Sequence, residues 1–410
     1  MKPNSITYLK PIPLFMTMNK KKVLVTATTF PRWKDDSEPN FVYLLCKLLV
    51  GRCDITVLVP HHPGAKRYEV MDGVNVYRFR YFFPLSLERL CYDGGVLENI
   101  KKSFLARIQV PFLLISEFLA MKQVIKKEKI DFIHAHWLVP QGYLAALIKK
   151  FYKIPYIATA HAGDVFPIKK FRSFARDAIS KSTYLTANSN FTKDSINKIS
   201  KKRVDVIPMG VDINDFNPSN KDDRLWKHKT ILFVGRLAEK KGAKYLIKAM
   251  PKILKKVPAK LVIVGDGPER KNLVGLTKEL NLQDNVVFEG KIPPNELPKF
   301  YASADVFVGP SIVTAKGDTE GLGIVFLEAI ASGTCVVGSK VGGIPDIIKH
   351  NETGLLVREK NPEGISRAVI TILGNVKMQK RLCENALKHI QKNYSWKVVA
   401  EKFSELYGRM

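Results

Sequence analysis

Short apolar runs alternate with helical periodicities along almost the whole chain. Positions 22–28, 54–59, 74–79, 132–135, 156–159, 184–187 and 204–207 predict strands, and 40–49, 117–129, 141–152, 173–180 and 192–199 predict helices between some of them. Most of the strands are continuous β-branched or leucine runs, the pattern of strands covered by helices on both sheet faces. The first half of the chain therefore predicts a doubly wound α/β unit.

A stretch rich in Pro, Gly, Asp and Asn follows at 208–220, which is linker chemistry. The rhythm then restarts. Strands are predicted at 231–234, 261–264, 286–288, 306–308 and 335–337, with helices at 245–256, 269–280, 295–303, 322–332, 362–373 and 378–394. The tail, 395–407, sets Trp396, Val399, Phe403 and Leu406 on one helical face. The pattern implies two Rossmann-like units: a flexible extension over 1–19, a first domain over 20–212 and a second over 213–394, with 395–410 as a closing helix. Ligands of such units bind at the carboxyl ends of the strands, so the cleft between the two is the expected site.

Composition removes several classes. At 46% hydrophobic and 25% charged, the 410 residues are ordinary globular material rather than a disordered or collagen-like chain. Five scattered cysteines without a C-x-x-C pair argue against metal clusters and disulfide frameworks and fit a reducing compartment. The longest uncharged apolar run, 108–116, is interrupted by Pro111 and closed by Glu117, short of the roughly 18 residues of a spanning helix. The first 18 residues lack the continuous apolar core of a signal peptide, so a cytoplasmic protein is expected, with peripheral contact at the inner membrane face as a further expectation. The net charge of +28 is the unusual quantity, and residues 1–210 carry most of it, with 34 basic against 16 acidic side chains. A surplus of that size invites polyanionic partners.

Candidate chemistry concentrates in the second unit. In 319–329, TEGLGIVFLEA, Glu320 lies in a glycine-rich loop and Glu328 about two turns into a helix, so both can face one ligand; Gly321 and Gly323 leave backbone N–H groups open at the helix start, where a phosphate fits. In 233–242, FVGRLAEKKG, Arg236 directly follows a strand-ending glycine and Lys241 comes five residues later. A guanidinium fork beside a point charge suits a diphosphate.

These two stretches resemble the GT-B glycosyltransferases of family 4: E-x7-E as Glu320…Glu328, and GR-x4-KG as Gly235-Arg236…Lys241-Gly242. The resemblance continues through VGDGP at 264–268, SGTCVVGSKVGGIPDII at 332–348, PMGVD at 208–212 and the closing YSW helix, and covers the chain from about residue 20 to its end. It implies an α/β GT-B fold, two Rossmann-like domains facing across a cleft, with the final helix packing back on the first domain. It further implies a retaining hexosyl transfer from a UDP- or GDP-sugar to a glycan or lipid-linked acceptor, with no metal and no protein nucleophile. On that resemblance Glu328 would hold the ribose, Glu320 the transferred sugar, and Arg236 and Lys241 the diphosphate, helped by the Gly321–Ile324 backbone, including Leu322 and Gly323. Gly290 and Ile292 would face the base. From the first domain, His161 in TAHAGDVF would lie beside the donor sugar, with Gly163 and Asp164 in the same loop. His134 and His136 read as structural, since their pair lacks a third metal ligand at a suitable spacing. The chain departs from the family after its first strand, where a Gly-Gly pair is replaced by Thr29-Phe30-Pro31-Arg32 and then Lys34 to Asn40; Arg32 and a helix start near Pro39 are the expected substitutes.

Three rivals remain. A dehydrogenase is suggested by Gly265-x-Gly267 after a strand, but Arg270 occupies the third glycine position, where close helix–strand packing is needed. A GT-B nucleotide-sugar epimerase shares architecture and ligand. A nucleic-acid-binding protein would account for the charge, yet the lysines are dispersed and no RNP, KH or zinc-finger pattern is present. An anionic membrane surface accounts for it better: Lys101, Lys102, Arg107, Lys122, Lys126, Lys127 and Lys129 flank Phe104, Leu105, 112–115, Phe118 and Leu119, with Tyr81-Phe82-Phe83 nearby. The competing reading of that stretch is a core helix with solvated lysines.

Overall fold

The computed structural model describes residues 20–34, 36, 40–92, 95–165 and 171–410. The expected extension at 1–19 and the helix start at Pro39 lie outside the described residues. In the first half the chain runs β1 (Lys22–Thr26), α1 (Phe41–Leu49), β2 (Asp54–Pro60), β3 (Tyr68–Met71), β4 (Val74–Phe79), α2 (Val96–Lys102), α3 (Phe104–Glu128), β5 (Phe132–His136), α4 (Tyr143–Tyr152), β6 (Tyr156–Ala160), α5 (Ala162–Val165), α6 (Arg172–Lys181), β7 (Tyr184–Ala187), α7 (Asn190–Asn197) and β8 (Asp205–Val206). These strands form one sheet in the order β3-β4-β2-β1-β5-β6-β7-β8, parallel throughout except for the β3–β4 edge hairpin.

The second half runs β9 (Lys229–Val234), α8 (Ala243–Leu254), β10 (Ala259–Val264), α9 (Arg270–Glu279), β11 (Val286–Gly290), α10 (Leu297–Ser303), β12 (Val306–Gly309), α11 (Ile324–Ala331), β13 (Cys335–Ser339), α12 (Ile344–Ile347), β14 (Leu355–Val357), α13 (Pro362–Gly374), α14 (Val376–Asn393) and α15 (Trp396–Gly408). Its six parallel strands are ordered β11-β10-β9-β12-β13-β14. Both sheets reverse strand order beside their first strand, and the crevices at the β1/β5 and β9/β12 switch points are where a parallel sheet receives ligands.

Each domain has its own core on one sheet face, while a third core passes between the domains. That shared core joins Val42, Leu45 and Leu49 of α1 to Phe326 and Ile344 of the second domain through Met209, Val211, Trp396 and Phe403. Two chain crossings support it. Val211 donates its N–H to the Tyr394 carbonyl at 2.9 Å and Trp396 donates to the Val211 carbonyl at 3.3 Å, so linker and return strand pair side by side. Beyond the crossing, α15 lies along α1, and its Tyr407 hydroxyl meets His134 Nδ1 at 2.6 Å.

The structure departs from the sequence expectation in two informative places. The hairpin of β3 and β4 was not anticipated, although Asp72-Gly73 between Met71 and Val74 is its signal: both residues take positive φ, 47° and 84°, as a two-residue hairpin turn requires. The second departure corrects the reading of 108–116 as a broken run. Pro111 and Glu117 both lie inside α3, a helix of 25 residues that is long and apolar enough to cross a membrane by length and composition. Pro111 is tolerated because it and Arg107, whose carbonyl it leaves without a helical donor, are both exposed residues. Glu117 is fully buried on the opposite side, with the Gln141 amide 3.2 Å from one carboxylate oxygen.

Burial pushes the Glu117 carboxyl up to about 8, and the Gln141 bond offsets only part of that. From an unfolded value of about 4.3 up to about 8, the unfolded chain is ionised while the folded one keeps its proton, so stability falls as pH rises, by about 1.4 kcal/mol per unit. Glu117→Gln should therefore gain on the parent protein between pH 5 and pH 8 and level off above, as read from urea midpoints; a constant difference across that window would contradict the buried protonated carboxyl.

Candidate active site

The loop from β9 to α8 begins at Gly235 and Arg236 and closes in a 3₁₀ turn at Glu239–Lys241. The Lys241 side chain folds back over Gly235, whose Cβ position would lie 3.7 Å from the Lys241 Cε. Lys241 Nζ reaches Glu320 Oε2 at 2.5 Å, and neither side chain is more than one-fifth exposed. Burial alone would raise the Glu320 carboxyl, but the Lys241 charge and hydrogen bond, with Lys240 and the Gly321 N–H, hold it below the usual range. Glu320 is therefore an anion at neutral pH and Lys241 its counter-ion.

Gly323 takes φ of 92° at the start of α11, leaving the N–H groups of the first turn, from Ile324 on, without intrahelical acceptors. Leu322, by contrast, turns its side chain into the core. Gly342 of the GG pair is pressed onto this loop: with φ of 56° and a Cβ position 1.9 Å from the Glu320 carbonyl, a side chain there is excluded twice over. Glu328 lies one turn into α11 and accepts the Tyr301 hydroxyl at 2.7 Å. Burial raises its carboxyl, while the Tyr301 bond and the Lys241 charge act in the other direction. Arg236 is exposed at the rim; after the Lys101 hydrogen bond and the Lys101 charge, its charge is among those that lower Glu98 on α2 of the opposite domain. Gly290 ends β11 with its carbonyl 2.6 Å from the Gly265 N–H, and Gly265 in turn abuts the Gly235 carbonyl. Gly290 and the partly buried Ile292 therefore sit two strands along from the Arg236 loop.

The first domain brings the 161–164 loop to the same place. A Cβ on Gly321 would lie 2.1 Å from the Ala162 Cβ, so the two loops are in direct contact across the domains. Gly163 is exposed beside Trp137. Asp164 is used inside the loop, accepting the Leu138 N–H at 2.9 Å and the His161 N–H at 2.8 Å. Burial nevertheless raises its carboxyl to about 7. His161 Nε2 lies 3.1 Å from His136 Nδ1, and burial holds His161 near 3 and His136 well below its usual value. Both rings are neutral, so His161 offers the cleft a dipole rather than a charge.

His136 was read as structural, and its contact with His161 is the connection that reading missed. The signal was its place at the carboxyl end of β5, in register with Thr159 two residues before His161. Tyr301 carries no such signal in the sequence, being one of two aromatics on α10 beside Phe300. His134 bonds Tyr407 and Thr159 rather than a metal, and among the described residues no group of three or more His, Cys, Asp or Glu side chains is gathered as metal ligands. Arg32, the expected substitute for the missing Gly-Gly pair, holds Asp36 in a two-pronged ion pair at 2.7 and 2.8 Å. Its fork is committed within the first domain.

Residues 39–215 match the family model described as Glycosyltransferase Family 4, and residues 216–389 match Glycosyl transferases group 1. An uncharacterised glycosyltransferase of Methanocaldococcus jannaschii is 33% identical over 363 residues, covering 83% of this chain and 86% of its own. The chain belongs to the family 4 glycosyltransferases. A GDP-mannose-dependent α-(1-6)-phosphatidylinositol monomannoside mannosyltransferase of Mycobacterium tuberculosis is 34% identical over 211 residues, 49% of this glycosyltransferase and 55% of that protein. Among solved structures, sucrose-phosphate synthase of Thermosynechococcus elongatus superposes with a TM-score of 0.79 at 22% identity, covering 95% of this chain and 99% of the other. Anabaena HepE, solved with UDP and glucose, gives 0.70 at 17% identity over 95% and 100%. Both share the GT-B fold with this glycosyltransferase.

The Gly321–Ala162 contact generates a direct test. Gly321→Ala should force the two loops apart and lower kcat/KM for the donor on the order of tenfold, a cost of about 1.4 kcal/mol. Adding Ala162→Gly should recover most of the loss. Unchanged kinetics in the single variant would mean that the loops do not meet during turnover.

Proposed function

We propose that this glycosyltransferase moves a hexose, with retention, from a UDP- or GDP-sugar to a glycan or lipid-linked acceptor, without a metal. The observation that carries the reading is the Lys241–Glu320 pair, with Lys241 on the loop that begins at Gly235 and Arg236 and Glu320 on the loop that meets the His161 loop at Gly321. Two cations at the end of β9 suit a diphosphate, and an ionised carboxylate 2.5 Å from one of them suits the hydroxyls of the sugar attached to it. Glu328, oriented by Tyr301, is a bidentate acceptor for ribose hydroxyls. The GDP-mannose dependence named for the mycobacterial relative supports a nucleotide-sugar donor. Membership in a family of transferases favours transfer over epimerisation.

In the proposed step the bond from the anomeric carbon to the β-phosphate oxygen breaks, and its electron pair leaves with the nucleoside diphosphate. The acceptor oxygen bonds the same face of that carbon, and its proton passes to the departing phosphate. Arg236, Lys241 and the first-turn N–H groups of α11 stabilise the charge that builds on the leaving group, the largest electrostatic contribution available here. His161, neutral at the working pH, stabilises the electron-poor sugar ring through its dipole and leaves the proton transfer to the phosphate. Closure of the two loops excludes water that would otherwise hydrolyse the donor.

Arg236→Ala should reduce transfer at least about tenfold with the thermal midpoint unchanged, and Glu320→Ala should reduce it at least as much while lowering the midpoint, since Lys241 is left without its counter-ion; both are scored as UDP or GDP release over a donor panel. Near-parental rates would remove the site assignment. Rates should also survive EDTA, and NMR of the product should show the donor's anomeric configuration; inhibition by EDTA or an inverted product would overturn those parts of the reading.

A further inference from the structure

Helix α3 is apolar on two opposite faces. One face, with Ala106, Leu113, Met121 and Val124, is buried against β2, β4 and α4. The other meets solvent. Phe104, Ile108, Phe112, Ile115 and Leu119 follow one another in steps of three and four residues, forming a single stripe about 22 Å long. Each is a large apolar side chain more than 40% exposed, with Phe104 at 73% and Ile115 at 60%. The stripe continues in the same steps as Lys122 and Lys126, both exposed, and Lys101, Lys102 and Arg107 surround its beginning. Phe82 packs edge-on against Phe112, and its neighbour Phe83 is 86% exposed.

We propose that this face docks on an anionic lipid bilayer, with α3 lying in the plane of the headgroups. Charge selects the occupant. A second copy of the chain, placed parallel or antiparallel, would bring the cations at the two ends of the stripe against cations, which repel. A surface of anionic headgroups neutralises both ends while the acyl boundary takes the five apolar side chains. The helix lies on the bilayer rather than across it, because its opposite face holds Gln109 and Glu117 fully buried and covers the sheet. Helix α2 runs directly into α3 and carries Glu98, which feels the charge of Arg236 on the opposite domain. Given the transfer reaction proposed above, an amphiphilic acceptor would reach the cleft from the bilayer side; docking itself does not depend on that reading.

The test is sedimentation of the full chain with vesicles of phosphatidylcholine alone or mixed with phosphatidylglycerol. Binding should require phosphatidylglycerol and weaken with salt. Lys102→Gln/Lys122→Gln/Lys126→Gln should lower partitioning about a hundredfold, from a contribution near 1 kcal/mol per cation, and Phe104→Ser/Phe112→Ser/Ile115→Ser/Leu119→Ser should abolish it with the thermal midpoint retained. Equal binding to phosphatidylcholine vesicles, or none to either, would overturn the proposal. So would a dimer in sedimentation velocity that the serine variant dissolves, or retention on polynucleotide that the serine variant keeps. Vesicle binding by a preparation that transfers no sugar would leave docking intact and count only against the transfer reading.

Discussion

Much of the second domain's architecture follows from the need to hold Lys241 and Glu320 together largely out of water. Desolvating two opposite charges costs several kcal/mol per ion, so a pair in this position requires close geometry and further hydrogen bonds to persist. Both are supplied by backbone. The turn after β9 delivers the lysine, and the loop before α11 delivers the carboxylate with a Gly321 N–H beside it. The GG segment before α12 clamps that loop from behind, since Gly343 donates its N–H to the Glu320 carbonyl at 3.1 Å. The glycine-rich motifs of this domain are thus largely one device seen from several points along the chain: they let backbones approach closely enough to present a carboxylate and a cation at one spot.

The layered fold was legible in the sequence because parallel strands buried on both faces leave uninterrupted apolar runs, and those need no tertiary knowledge to recognise. Elements that lack that signature were lost. The β3 edge strand alternates exposed and partly buried side chains, and its only clear mark was the Asp72-Gly73 turn. Of helix α3 the sequence pattern marks only 117–129, with the apolar run before it interrupted at Pro111, whereas in the structure the helix continues through Pro111 on its solvent side. The short helices α5 and α12 gain their order from contacts between loops, which no local window contains.

The candidate site divides in the same way. Arg236 stands out beside a glycine at a strand end, Lys241 and Glu320 beside glycines in loops, and Glu328 through its fixed spacing from Glu320. Tyr301 and His136 do not, since an aromatic on a helix or a histidine in a strand has the same local pattern whether or not its polar atom is used. Their roles come from a partner distant in sequence: Glu328 for Tyr301, and His161 for His136. Asp164 was found by its loop, but its two oxygens are spent on the His161 and Leu138 amides, so it sets the angle at which the histidine is offered.

The paired crossing at Val211 and Ser395 has a mechanical consequence. Two domains tethered by one strand can swing and also twist. Here the chain passes between them twice, and the crossings are hydrogen-bonded to each other, with α15 anchored to the first domain by Tyr407 and His134. Such a joint resists torsion and leaves essentially one degree of freedom, like a door on two pins rather than a lid on a string. Opening and closing then retrace a single arc, and the His161 loop returns to the same seat against Gly321 after every excursion.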